Sequence, residues 1–233
     1  MKLSVVIPAL NEEGGVADVI KQVPVAKLNS MGYEVEIIVA DNGSTDKTAE
    51  IATAHGARVV PAPLRGYGNA YKAGFAAATG DIIATGDADM TYPFDSLPEL
   101  LTTLREKNLD FLNTDRLSNL NPEAMTFSHV FGNWLLSMTT RTLFRWPFKD
   151  SQSGMWIFKR SIWEHLDVVS GGMPFSQELK VEAYAKGFKC AETPIEYRPR
   201  VGEVKLNTVR DGVRNMSQLF MKRVVLRRGT LTQ

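Results

Sequence analysis

The chain has one cysteine, Cys190, in 233 residues. No internal disulfide is available, which suits a reducing compartment. Cys190 falls in an expected strand and reads as an inert core residue. No apolar run approaches the ~20 residues of a membrane span. A secretory signal is also missing: Lys2 is followed by a strand pattern broken at Pro8, not by an apolar h-region. Charge of one sign is not in excess. Lys and Arg number 27 against 26 Asp and Glu, a net +1, which argues against a nucleic-acid binder. Internal repeats and low-complexity stretches are absent. The hydrophobic share is 44%, enough for a sizeable core in one domain, or in one domain with an appendage.

What is there alternates. Leu3 to Ile7 runs into Pro8 and Asn11, a buried strand entering a loop. Val35 to Ala40 runs into Asp41-Asn42-Gly43-Ser44, then a helix start with Thr45 or Asp46 as N-cap. Ala57 to Pro61 leads to Arg65-Gly66-Tyr67-Gly68-Asn69, and a fourth strand ends at Gly86. Leu97 to Lys107 reads as a helix and Leu109 to Asn113 as a further strand. Strands alternating with helical stretches predict an α/β fold with a mostly parallel, twisted, helix-covered sheet. Polar residues gather at the strands' carboxyl ends, where open α/β sheets bind ligands.

Asp87-Ala88-Asp89 stands at one such end. Two carboxylates on an extended turn suit Mg²⁺ or Mn²⁺, which take few carboxylates plus substrate phosphates. The bland alternative is a solvated acidic turn. Two classes of enzyme fit the sheet: a nucleotide-sugar transferase and a dinucleotide-binding oxidoreductase. The second rests only on Gly66-Tyr67-Gly68. A dinucleotide fingerprint follows the first strand and has a third glycine three residues on. Here the glycines follow the third strand and position 71 is Tyr. They read better as a tight turn or a close backbone approach to a ligand.

Val5 to Glu13, Asp41 to Asp46, Arg65 to Gly80 and Asp87 to Pro93 together resemble the nucleotide-binding half of family 2 glycosyltransferases of GT-A fold. Asp150 to Trp156, Pro194 to Tyr197 and Arg200 to Leu206 resemble the polyprenyl-phosphate members, the group of dolichyl-phosphate mannose synthase. The resemblance covers residues 3–207. It implies one catalytic domain, with residues 1–115 as the nucleotide-sugar half, 116–207 as the acceptor half, and a basic helical tail over 208–233.

The resemblance also implies a site. Pro8, Leu10 and Glu12 meet the base and ribose; Glu12 could instead be a helix-start carboxylate favoured by the dipole. Asp41 and Asn42 follow. Relatives often carry two acids there, so Asn42 leaves uridine and guanosine both open, and plain turn chemistry is compatible. Arg65, Gly66, Asn69 and Ala88 complete the donor contacts. Asp89 is the first metal ligand, and Asp87 either ligates or holds ribose. Thr91 stands where relatives have Gln, a weaker ligand. Arg116, Arg200 and Lys205 match phosphate contacts, with Arg as a fork and Lys as a point charge. Ser151, Gln152 and Ser153 match the acceptor side.

Implied activity is inverting transfer of a hexose from a nucleotide diphosphate to a polyprenyl phosphate. A lipid phosphate has a second pKa near ~6 and is anionic near neutral pH, so it needs no essential base. A saccharide hydroxyl acceptor would need one, with Asp150 and Glu178 as candidates. Their bland alternatives are a turn cap and an exposed helix face. A non-catalytic nucleotide-sugar-binding subunit is opposed by the set Asp87, Asp89, Arg200 and Lys205.

Two segments bear on location. Phe127 to Phe144 carries an aromatic stripe at helical spacing, more often core than a binding surface, though in a lipid-phosphate transferase it could instead line the acceptor groove. The tail carries Arg210, Arg214, Lys222, Arg223, Arg227 and Arg228 against Asp211, interleaved with Val213, Met216, Leu219, Phe220, Val224 and Val225. A basic amphipathic helix reads either as interfacial or as packed on the domain with a solvated basic face. The expected location is cytoplasmic, peripheral to the cytoplasmic face of a membrane, with a membrane-protein partner as the alternative recruiter.

Overall fold

A computed structural model describes residues 1–119, 121–201 and 208–230. Lys205 and the rest of 202–207 lie outside the described residues, as do the side chains of Arg227 and Arg228. Seven strands form one sheet: β1 (Lys2–Ala9), β2 (Glu34–Asp41), β3 (Arg58–Pro61), β4 (Ile82–Thr85), β5 (Phe111–Asp115), β6 (Trp156–Lys159) and β7 (Cys190–Pro194). Their order is β3-β2-β1-β4-β6-β5-β7. Only β6 runs against its neighbours, pairing antiparallel with both β4 and β5. The sheet is therefore mostly parallel as expected, with one reversed strand that local pattern did not reveal.

Helices cover both faces. α1 (Val16–Gln22), α2 (Val25–Ser30), α3 (Thr48–Ala54) and α5 (Leu97–Glu106) follow β1, β2 and β4; α4 (Tyr67–Ala77) follows β3. α6 (Phe127–Phe144), α7 (Arg160–Trp163), α8 (Phe175–Ala185) and α9 (Thr208–Thr230) belong to the second half. Alternation along β1 explains the two layers. Leu3, Val5 and Ile7 join the cluster under α1, α2 and α5. Val6, one residue out of phase, joins the cluster under α4 and α8 with Tyr71, Phe75, Trp156 and Phe175. With both faces buried, β1 and β4 read as near-continuous apolar runs, as parallel strands do.

Parallel running brings Ala9, Asp41, Thr85 and Asp115 to the same end of the sheet, and the loops there are zipped together. Asn11 Oδ1 accepts from Thr45 N at 2.8 Å, and Glu12 N donates to Thr48 Oγ1 at 2.8 Å. The N-cap of α3 is Lys47, not Thr45 or Asp46; Asp46 lies one residue earlier, where its Oδ1 accepts from Thr48 N at 3.0 Å.

Two expectations are corrected in the second half. The α6 stripe is not core: Leu136 and Phe144 are buried, but Phe127, Phe131, Trp134, Leu135 and Met138 are exposed. α9 does not turn a basic face to solvent throughout. It packs on α6 and α8, and Lys222 is buried there. Among the described residues no helix is long and apolar enough to cross a membrane.

Cys190 begins β7, half-buried, and burial pushes its thiol up to about 12, which fits an inert residue.

The contact of α4 with β1 needs a residue without a side chain. A Cβ on Gly74 would press into Val6 Cγ1. Gly74→Ala is expected to lower stability by about 1–3 kcal/mol through overpacking. Urea unfolding would check it; an unchanged midpoint would mean that α4 shifts freely on the sheet.

Candidate active site

The site grows from the end of β4. After Thr85 the chain turns through Gly86 to Asp89, and Thr91 holds that turn. Asp89 Oδ1 accepts from Thr91 N at 3.1 Å and from Thr91 Oγ1 at 2.6 Å. Its other oxygen pairs with Arg200. Backbone bonds tie the returning segment to the same turn: Val201 N to Asp89 O at 2.9 Å and Arg198 N to Thr91 O at 3.0 Å. Ala88 is buried beneath it.

Asp87 is half-buried among tyrosines. Tyr67 Oη donates to Asp87 Oδ1 at 3.0 Å, and Tyr71 Oη lies 3.5 Å from the same oxygen. Tyr67 and Tyr71 are four apart on α4, so their rings share one helix face. Burial, then the charge of Asp89, pushes the Asp87 carboxyl up to about 7. Tyr67 and the cations Arg200 and Arg116 pull the other way. The turn thus carries two acidic side chains crowded together, with Arg200 as the nearest compensating cation. Among the described residues no three Asp, Glu, His or Cys side chains converge.

Beside it lies a second pair. Arg116, just after β5, grips Asp150: Nε to Oδ2 at 2.7 Å and NH2 to Oδ1 at 3.0 Å. Arg116 N adds a bond to Oδ2 at 3.1 Å. Burial would raise the Asp150 carboxyl, but Arg116 holds it below the usual range. Arg116 also lies over the Tyr197 ring, 5.2 Å from its centroid. Glu192 on β7 braces this corner, accepting from Lys149 N at 2.7 Å, Asp150 N at 3.1 Å and Asn113 Nδ2 at 2.8 Å.

These groups edge a cavity of about 490 Å³. Asp87, Tyr92, Arg116, Tyr197 and Arg200 line one end; His129, Asn133 and Leu136 of α6 and Val213, Asn215 and Met216 of α9 line the other. The α9 wall also carries the acid Asp211.

Residues 4–166 match the model of glycosyl transferase family 2. The chain belongs to glycosyl transferase family 2. It is 43% identical over 216 residues to the low-salt glycan biosynthesis hexosyltransferase Agl6 of Haloferax volcanii, covering 92% of this chain but 52% of that protein. So this chain spans about half the length of that relative. It is 30% identical over 210 residues to a dolichyl-phosphate hexose transferase of the same organism, covering 90% of this chain and 89% of that one. Among solved structures it resembles glucosyl-3-phosphoglycerate synthase from Mycobacterium tuberculosis, crystallised with Mn²⁺, UDP and phosphoglyceric acid. The TM-score is 0.77 at 22% identity, over 95% of this chain and 78% of that one. The fold is of GT-A type, as expected.

The residues expected to hold the donor lie at the strand ends, but several are engaged within the protein. Pro8, Leu10, Glu12 and Asp41 are half-buried around the β1 and β2 ends, and Asp41 Oδ1 accepts from Ser44 N at 3.1 Å. Asn42 is buried and bonds the loop after β3: Nδ2 to Leu64 O at 2.7 Å and to Ala62 O at 3.2 Å, with Oδ1 accepting from Gly66 N at 2.7 Å. The amide therefore fits a role as the clasp of the Arg65–Gly66 turn. An aspartate there would set a carboxylate against two carbonyls. Asn69 staples the same turn to the 171 loop, through Nδ2 to Arg65 O at 3.0 Å and its own N to Gly171 O at 3.0 Å. Gly66 has φ of 133°, open to glycine alone, and a Cβ there would strike Gly171 O.

Of the acceptor trio, Gln152 lines the cavity. Ser151 and Ser153 are buried behind it, bonded to Ser137 and Thr114 respectively. Glu178 is not on an exposed face. It is fully buried, 3.1 Å from Lys222 Nζ. Sequence pattern missed Tyr92, Tyr197, Glu192 and Lys180. Only the spacing of Tyr67 and Tyr71 offered a signal.

Lys180 is buried under the site, Nζ to Ser153 O at 2.7 Å and 5.7 Å from the Trp156 ring centroid. Burial pushes it from 10.5 down to about 7, against the pull of Asp150. Below about pH 7 the folded and unfolded chains both hold this proton. Between about 7 and 10.5 only the unfolded chain does, so this group makes stability rise with pH through that window. The urea midpoint of the native chain should climb across it relative to Lys180→Met. Parallel profiles would show that Lys180 stays charged in the folded state.

Proposed function

We propose that this chain transfers a hexose, with inversion, from a nucleoside diphosphate to a polyprenyl phosphate. The observation that carries this is the pairing of an Asp87–Asp89 turn and Arg200 at one end of a cavity whose other end is walled by α6 and α9. The names of the two Haloferax relatives support a hexosyl donor and a lipid-phosphate acceptor.

Asp87 and Asp89 fit a divalent cation, Mg²⁺ or Mn²⁺. Two crowded carboxyls, one of them raised to about 7, leave a site short of positive charge. Such cations take one or two carboxylates and complete their shell with water and substrate phosphate. When bound, the metal would neutralise charge on the diphosphate leaving group. The solved neighbour with Mn²⁺ and UDP supports this. Thr91 acts through Asp89, orienting its carboxylate by the 2.6 Å bond, rather than as a direct ligand.

Arg200 would hold the diphosphate oxygens as the glycosidic bond breaks, with Lys205 as a second point charge. Pro8, Leu10, Glu12 and Asp41 hold the nucleoside, with Arg65 and the Gly66 turn closing over it. On the acceptor side, Arg116 stands 2.7 Å from Asp150, its charge largely matched, so the pair orients more than it attracts. Asp150 and Glu178 are both committed to buried cations. That supports an acceptor carrying its own negative charge, since neither carboxylate is free to take a proton from a hydroxyl. A lipid acceptor would have the protein work peripherally at the cytoplasmic face of a membrane.

Thermal shift with UDP and GDP, with and without Mn²⁺, tests the donor site. A ligand at ~100 times its Kd stabilises by about 2.7 kcal/mol. Asp89→Asn should abolish the Mn²⁺-dependent part of that shift; an unaltered shift would remove Asp89 from the metal site. For the acceptor, transfer to a polyprenyl phosphate should proceed while the corresponding polyprenol gives no product. Transfer to the free alcohol or to a saccharide hydroxyl would overturn the lipid-phosphate assignment.

A further inference from the structure

α6 and α9 bury only part of their apolar surface and leave a second apolar set outside. An amphipathic helix normally buries its apolar stripe. In α9 the buried face carries Asn215, Gln218 and Lys222 beside Leu219, which packs with Leu136 and Phe144 of α6. Gln177 Nε2 donates to Asn215 O at 2.6 Å, and Asn215 Nδ2 to Gln152 Oε1 at 3.0 Å. Lys222 Nζ sits 2.6 Å from Glu182 Oε1, 3.1 Å from Glu178 Oε1 and 2.6 Å from Asp167 O. Spacing of three and four residues puts these three side chains on one stripe. Seating that stripe on α8 forces Phe220, Met221 and Val224 outward, and all three are exposed. α6, packed against α9, exposes Phe127, Phe131 and Trp134.

We propose that the outward faces of α6 and α9 form one bilayer-docking surface, inserted by its apolar side chains into an anionic membrane leaflet. This deepens the lipid-phosphate reading above by naming where lipid meets protein and how. Two observations choose a bilayer over other occupants. First, the surface is cationic at its edges: Arg141, Arg145, Arg210 and Arg214 are exposed, while α6 carries no acid and described α9 side chains include only Asp211. A second copy of the chain would set these like charges against one another across a two-fold axis. Anionic headgroups complement them. Second, the surface runs into the cavity. Exposed Leu135 of α6 and Val213 of α9 both line it, so the cavity borders this face.

Insertion differs from electrostatic adhesion in its response to salt. Adhesion by basic residues alone collapses as the screening length falls from ~10 Å at about 0.1 M to ~3 Å at about 1 M salt. Apolar insertion persists. The full chain is floated with vesicles of phosphatidylcholine containing a minority of phosphatidylglycerol, at low and high salt. Binding should weaken with salt but remain. Phe131→Ser with Phe220→Ser should cut partitioning by about tenfold or more at either salt, since each loses a large apolar group from the inserted face. Both positions are exposed, so the fold tolerates the change. Trp134 fluorescence should shift to the blue on vesicles, and the shift should vanish in Trp134→Phe, because Trp146 and Trp156 are already buried and half-buried Trp163 packs on Phe75 and Phe175, away from α6 and α9.

Complete loss of binding at high salt, or an unaltered Ser variant, would overturn insertion. Concentration-dependent dimers broken by the Ser variant would assign the face to a second copy and overturn it equally. Metal-dependent nucleotide binding, measured on the same variants, should be unchanged. If vesicles are bound but no hexose reaches a polyprenyl phosphate, the surface stands and the proposed reaction falls.

Discussion

The Arg116–Asp150 ion pair is the contact on which the second half of this protein depends. Both groups are buried, so each would be costly alone; together, with three bonds to one carboxylate, they hold. The pair joins the end of β5 to the loop before β6. That loop then delivers Gln152 to the cavity and Ser153 to Thr114, and it starts the strand that reverses direction between β4 and β5. Glu192 fixes the loop from β7 through two backbone bonds. Packing of β5, β6 and β7 alone would leave the turn at 149–153 free to choose among conformations. The ion pair and Glu192 choose one.

A second polar knot extends from the same loop. Gln152 bonds Gln177 at 2.9 Å, and Gln177 bonds the backbone of α9. Lys222 completes the seat between two glutamates of α8. Polar and ionic contacts of this kind add little net stability, because desolvation cancels much of the gain. What they supply is register. An apolar face would accept α9 in several rotations; Asn215, Gln218 and Lys222 accept one. The consequence is an apolar face left outside, continuous with the cavity that the same helix walls. Fold, site and surface are thus linked through side chains that a hydrophobicity scan counts as solvated.

Much of the first half was legible because its logic is local. Buried parallel strands announce themselves as β-branched runs, and the residues just after them are placed by chain direction alone. Asp41, Asp87 and Asp89 fall at one end of the sheet for that reason. Their individual roles were less legible. Asn42 reads as a base contact, yet three bonds spend it on the Arg65–Gly66 turn. Thr91 reads as a metal ligand, yet its hydroxyl is bound to Asp89. A side chain's hydrogen-bond partners come from loops distant in sequence, and no local window contains them.

By itself the sequence determined the strands β1 to β5 and their alternation with helices, the α/β class, the acidic turn after β4 and the motifs that mark the family. These follow from periodicity and from residues adjacent in the chain. Only the tertiary structure decided that β6 runs backward, that Glu178 is buried, and that Lys222 points inward while Phe131 and Phe220 point out. Hydrophobic patterning reports which residues are apolar, not which surface receives them. Burial of a charge is possible only where opposite charges arrive from other elements, here Glu178 and Glu182 from α8, more than thirty residues away in the chain.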